Sequence, residues 1–135
     1  MIAVACQVDQ DPRNPSEHSL QVKLIGIIEI GKIHPDVTVI AIPNAGRRSW
    51  RMGKKMKAEG LTAGAPDLAI LMPNAATFWL EMKKRKGGRI SDNQLGFAAK
   101  CKRLGHSYAV ANTLADAVAI LIGWGVLKPT VTIGA

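Results

Sequence analysis

Cysteine is scarce in this chain: 135 residues hold two, Cys6 and Cys101, far apart in sequence. With no paired-cysteine spacing, neither a zinc site nor a disulfide framework is indicated. Reduced, buried thiols in an intracellular protein are the plain reading. The three histidines, His18, His34 and His106, show no ligand spacing among themselves, and surface or capping roles account for each. Long hydrophobic runs are missing too. No stretch approaches the ~18 apolar residues of a membrane span. The opening run Met1 to Val8 is short and lacks the basic leader of a signal peptide. Internal repeats and low-complexity tracts are absent. The expectation is a soluble, cytoplasmic protein, and 135 residues make one ordinary domain. Such a chain can bury about two-thirds of its unfolded surface in a single core. Hydrophobic residues at 47% fit a compact globule rather than a disordered tail.

Acidic residues are the other deficit: 10 Asp and Glu stand against 18 Lys and Arg, a formal charge of +8. A balance this basic points to a polyanionic partner. The cations are also clustered: six lie in Arg47 to Lys57, five in Lys83 to Arg89 and three in Lys100 to Arg103. Solubility explains any one cluster. Three clusters, two of them flanking the acidic residues described next, favour nucleic acid. Arg47, Arg48, Arg51, Lys54, Lys55, Lys84, Arg85, Lys86 and Arg89 are the candidate phosphate contacts. Trp50, within the first cluster, either stacks on a base or packs.

Local signals divide the rest of the chain. Ser16 is a natural N-cap after Pro15, and Leu20, Leu24, Ile27 and Ile28 recur at helical spacing as far as Gly31. Ile25 and Ile30 widen that apolar face, which predicts a largely buried helix. Residues 37–42 form a β-branched run after the turn His34-Pro35-Asp36, read as a strand. Residues 44–60 read as a basic loop and a short exposed helix. Two strands, 68–72 and 77–83, flank the hairpin composition Pro73-Asn74-Ala75-Ala76. Ser91 can cap a helix that carries Phe97, Cys101 and Leu104 inward and ends at Gly105. A strand over 107–111 and a helix capped by Thr113 and running to about Gly123 follow. Residues 1–15 then form an N-terminal arm, 16–123 the domain, and 124–135 a tail in which Val126 to Ile133 could add a strand. The order α, β, basic helix, β, β, α, β, α predicts an α/β fold with one mixed central sheet flanked by helices.

Two carboxylates and a lysine interrupt the apolar strands: Asp67, in Gly64-Ala65-Pro66-Asp67, and Glu81 with Lys83 in Glu81-Met82-Lys83. Charge buried in such runs is costly unless something compensates it. Alternation along a strand points Glu81 and Lys83 to one face and Leu80 and Met82 to the other. A turn centred near Asn74 and Ala75 brings Asp67 opposite that strand end, so all three share a face. Gly64 and Pro66 shape a tight approach to the strand that would admit a phosphate backbone. Two carboxylates offer the hard oxygen ligands that Mg2+ or Mn2+ requires. Lys83 can orient or deprotonate a water, or stabilise the transition state. The bland alternative is a solvated Asp and Glu with Lys83 as ion-pair partner. Glu17 and Gln94, at helix starts on core-facing stripes, converge toward the same face. Glu17 is a further metal ligand or a first-turn glutamate favoured by the helix dipole. Gln94 holds a water or phosphate oxygen, completes a capping box with Ser91, or does both.

Asn44-Ala45-Gly46, Gly64-Ala65-Pro66-Asp67, Glu81-Met82-Lys83 and Gly87-Gly88-Arg89-Ile90-Ser91-Asp92-Asn93-Gln94 together resemble the VRR-NUC family. That family is a branch of the PD-(D/E)xK nuclease superfamily, common in phages and prophages. The likeness runs from Glu17 to about Ile122. It implies a restriction-endonuclease-like core, with Asp67 and Glu81 as metal ligands, Lys83 as catalytic lysine and Gln94 as motif glutamine. Glu17 and the backbone carbonyl of Met82 are the further ligands it implies. Stand-alone members resemble four-way (Holliday) junction resolvases and act as dimers. The expected protein is therefore a Mg2+- or Mn2+-dependent, structure-selective DNA endonuclease acting on branched DNA, homodimeric, and in the host cytoplasm if phage-encoded. A flap, exo- or nicking nuclease on the same fold is one alternative. A non-catalytic DNA-binding module and an RNA-processing role are others.

Overall fold

In the computed structural model, residues 14–42 and 50–133 are described. The N-terminal residues 1–13 with Cys6, the Asn44-Ala45-Gly46 motif, Arg47 and Arg48 lie outside the described residues. So do the side chains of Trp50 and Arg51, of which only the helix backbone is described. The elements are α1 (Glu17–Gly31), β1 (Thr38–Ala41), α2 (Trp50–Ala58), β2 (Leu68–Leu71), β3 (Thr77–Met82), α3 (Asp92–Leu104), β4 (Ser107–Ala111) and α4 (Leu114–Gly123). Their order is the one read from the sequence.

Helix starts follow from short polar side chains that satisfy free amides in the first turn. Ser16 accepts from the Ser19 amide, and Thr113 does the same for Asp116. At α3, Ser91 and Gln94 form the reciprocal capping box, and Gly105 closes the helix in the left-handed region at φ 82°. The β2–β3 turn places Asn74 and Ala75 at φ 64° and 60°, the left-handed pair that matches the twist of a tight hairpin.

The four strands lie in sequence order, β1 and β2 antiparallel, β2 and β3 antiparallel, β3 and β4 parallel. The hairpin explains the second pairing. The parallel step needs a crossover, which α3 supplies. The two sheet faces differ in content. On one, Leu68, Ile70, Leu80 and Met82 join Leu20, Leu24 and Ile28 of α1 and Val118 and Leu121 of α4 in the core. Each large aliphatic buried there contributes about 1.5–3 kcal/mol. The other face carries Asp67, Trp79, Glu81 and Tyr108.

Several expectations are corrected. Ile30 is 58% exposed and Leu104 73% exposed. Both lie in the last turn of their helices, where no neighbouring element covers them, so apolar spacing overstated the buried stripe. The segment after Trp124 forms no strand among the described residues. Val126 and Leu127 are instead fully buried in the core, and a single bridge joins Leu127 to Lys32. The Ile33 amide donates to Val126 and the Lys128 amide to Gly31. Gly31 has no room for a side chain, because a Cβ there would come within 2.5 Å of Val131. The tail is thus part of the packed unit. Trp124 stacks on Phe78 with ring centroids 4.9 Å apart and packs against the core.

Candidate active site

Asp67 is pinned from both sides before any chemistry is considered. Its backbone oxygen accepts from the Ile42 amide at 2.8 Å, extending the β1–β2 ladder by one bond. Its Oδ2 accepts from the Met82 amide at 2.8 Å, so the carboxylate substitutes for a ladder partner at the end of β3. The loop before it is equally constrained. Gly64 sits at φ +83°, and a Cβ there would lie 2.1 Å from the Asn93 carbonyl oxygen. The close approach expected to serve a phosphate backbone is therefore made to the first turn of α3. It locks the Asp67 loop onto the helix that carries Gln94.

Leu68 lies opposite Leu80 in the register, so the preceding Asp67 faces Glu81. The two carboxyls are close enough for the Asp67 charge to act on Glu81. Glu81 is 2% exposed. Gln94 Nε2 donates to its Oε1 at 2.9 Å, and Lys83 Nζ stands 3.5 Å from the same oxygen. Gln94 Oε1 meanwhile accepts from the Ser91 amide at 2.9 Å. Gln94 thus completes the capping box expected of it and also holds Glu81, a contact the sequence reading did not include.

The electrostatics are unbalanced. Burial, and then the Asp67 charge, push the Glu81 carboxyl up from 4.5 to about 7, against the opposing pull of Lys83. Glu81 Oε2 is buried with no hydrogen-bond partner, and so are Trp79 Nε1 and Tyr108 Oη on the same sheet face. Burial and the nearby Glu81 charge raise the Tyr108 hydroxyl to about 12. Buried polar atoms in native proteins normally have partners. Two adjoining carboxylates with one unpaired oxygen fit a hard divalent cation, which takes oxygen ligands and would offset the surplus charge. Asp67 and Glu81 would hold it.

Other expected members fall elsewhere. No third Asp, Glu, His or Cys joins the pair in a metal-holding group among the described residues. Glu17 lies in the first turn of α1, whose Leu20, Leu24 and Ile28 pack on the core face of the sheet. Met82 enters through its backbone, its amide bound to Asp67 and its side chain in the core. Lys54 and Lys55 lie exposed on α2, Lys55 at 4.0 Å from Glu59. Lys84, Arg85, Lys86 and Arg89 follow β3 directly, in a loop that starts at the catalytic candidate Lys83.

Asn14 is a residue that sequence reasoning missed. Its Oδ1 accepts from the Lys86 amide at 2.9 Å and its Nδ2 donates to the Lys86 carbonyl at 3.2 Å. This two-way clasp ties the basic loop to the start of α1. Trp79 was missed too, although strand alternation with Glu81 could have found it.

The arrangement is that of a restriction-endonuclease-like fold. Within that class the chain is similar to VRR-NUC domains. One solved structure, described as a "VRR_NUC domain protein", superposes with a TM-score of 0.68 at 19% identity over 84% of this chain and 96% of that one. Another, described as a "VRR_NUC domain", gives a TM-score of 0.54 at 20% identity over 79% of this chain and 94% of that one. No family model matches the sequence, and no curated protein matches it.

Proposed function

We propose that this chain is a VRR-NUC nuclease, a metal-dependent endodeoxyribonuclease that hydrolyses phosphodiester bonds in branched DNA. The observation that carries the reading is the pair Asp67 and Glu81, facing one another on the sheet with Lys83 and Gln94 on the same Glu81 oxygen. A structural ion pair would not need two adjoining carboxylates at one buried position, since like charges there oppose each other.

A divalent cation held by Asp67 and Glu81, Mg2+ or Mn2+, would offset charge on the attacked phosphate and make the attacking water more acidic. The protein side of the mechanism is positioning. The Met82 amide fixes Asp67, and Gln94 fixes Glu81 from the capped start of α3. Lys83, with its side chain 12% exposed, directs an ammonium into the site. There it orients the attacking water or stabilises charge that develops on the phosphate oxygens. The basic loop from Lys84 to Arg89 and the cations of α2 would carry the flanking phosphates. Symmetric cuts on two strands of a junction call for two such sites related by a two-fold axis, hence a homodimer.

The test is cleavage of four-way junction, flap, linear duplex and single-stranded DNA by the purified protein with Mg2+ or Mn2+. The expected result is metal-dependent cutting near the branch point, lost in Asp67→Asn, Glu81→Gln and Lys83→Ala variants that still fold. Binding without cutting in either metal would overturn the nuclease reading. Preferential cutting of ends or flaps would overturn the junction assignment alone.

A further inference from the structure

Beside the carboxylate pair, on the same sheet face, lies an open cavity of about 420 Å³, within the ~300–1,000 Å³ common for ligand sites. Its walls are Ile42, Met56, Leu61, Trp79 and Phe97, and Glu59 stands at its edge. Resting on the nuclease reading above, we propose that this cavity receives one unstacked nucleobase from a nucleotide next to the scissile phosphate. It would thereby select DNA with unpaired or distorted bases.

Position argues first. Trp79 precedes Glu81 by two residues on the same strand and points to the same face. At ~3.3 Å per residue the cavity wall therefore lies about 7 Å from Glu81. That is roughly twice the 3.4 Å step between nucleotides in a B-DNA strand, so a neighbouring base reaches the cavity once it leaves the stack. Ala65, which also lines the cavity, precedes Asp67 by two residues, so one loop builds both the wall and the site. The two cannot move independently, because Gly64 is jammed against Asn93.

Chemistry argues second. Trp79 and Phe97 meet edge to face with centroids 5.6 Å apart, giving the cavity an aromatic wall of the type on which bases stack without regard to sequence. The Glu59 carboxylate at the edge can accept from an exocyclic amine. Lys55, which pairs with Glu59, puts a cation on the same rim for the adjoining phosphate. In an intact duplex the bases stay paired and stacked, and extruding one is costly. At a junction, flap or single strand that cost is small.

The test scans the substrate rather than the protein. A four-way junction and a single-stranded oligonucleotide are made in series, each with one abasic residue stepped across the cleavage position. Both kcat/KM with Mn2+ and binding affinity with Ca2+ are measured. The expected result is a loss of about 5- to 100-fold at one position flanking the scissile phosphate and little elsewhere, the range of base–aromatic stacking. A profile that varies less than twofold at every position overturns the proposal while leaving the nuclease reading intact. If the protein binds but does not cut, the nuclease reading fails and the binding scan decides the cavity by the same criterion. Failure to bind any of these DNAs overturns both. Filling the cavity with Leu61→Trp should reproduce the abasic loss on intact substrate and flatten the scan; an unchanged scan in that variant also overturns the proposal.

Discussion

Replacing Glu81 by glutamine should make the metal-free protein more stable, and only above about pH 5. Burial and the adjoining Asp67 charge raise the Glu81 carboxyl from 4.5 to about 7. At ~1.4 kcal/mol per pH unit, ionising it in the fold costs up to about 3 kcal/mol. Between these pH values the folded state binds more protons than the unfolded state. Stability from this group is therefore complete below about pH 4.5, falls as the pH rises, and levels off above 7. Glu81→Gln removes the titration while keeping a similar shape, an oxygen for Gln94 and a donor toward Asp67. The assay is thermal and urea unfolding from pH 4.5 to 8 in EDTA, wild type beside variant. The two should coincide near pH 4.5 and diverge by up to about 3 kcal/mol at pH 8, on the order of 10 °C for a domain of this size. Adding Mg2+ at pH 8 should raise the wild type and leave the variant nearly unmoved. A wild-type-to-variant difference that does not change with pH would refute the reasoning.

Asn14→Ala should free the basic loop: the Lys86 amide, which donates to Asn14, should exchange its hydrogen several-fold faster, roughly as expected for a hydrogen bond worth about 1 kcal/mol. An unchanged exchange rate would mean that the clasp does not hold the loop. Gly64→Ala should destabilise the fold by on the order of 3 kcal/mol in urea unfolding, combining overpacking and a left-handed alanine. Gly105→Ala is the control, with φ +82° and nothing within 4 Å of a Cβ; its cost should be only ~1–2 kcal/mol. Ala75→Gly relieves a left-handed alanine in the hairpin turn at φ 60°. Offset by the entropy of glycine, it should stabilise by up to about 1 kcal/mol, visible as a small rise in the thermal midpoint.

The parts of the site visible in sequence are those set by local periodicity. Strand alternation placed Glu81 and Lys83 on one face, and the turn at Asn74 and Ala75 fixed the hairpin register that brings Asp67 to them. The spacing from Ser91 to Gln94 announced a capping box, and its geometry carries the glutamine to Glu81. What stayed hidden depends on contacts between distant segments. Asn14 and Lys86 are 72 residues apart, and no pattern along the chain pairs them. Gly64 looked like a turn glycine shaped for a ligand, whereas the backbone of Asn93 occupies that space. Helical spacing put Leu104 and Ile30 in the core, but spacing cannot tell where a neighbouring element ends. Val126 and Leu127 are fully buried for the converse reason: a tail without periodicity is drawn over the end of α1, where Gly31 leaves room.

That Asp67 and Glu81 together hold a divalent cation is tested most directly by titrating Mn2+ into the purified protein and following the free ion by its electron paramagnetic resonance signal. The wild type should remove Mn2+ from solution at pH 7.5, with Mg2+ competing. Asp67→Asn and Glu81→Gln should each abolish that binding, and Glu17→Gln should leave it unchanged. Equal Mn2+ uptake by the wild type and the Asp67→Asn and Glu81→Gln variants would contradict the assignment.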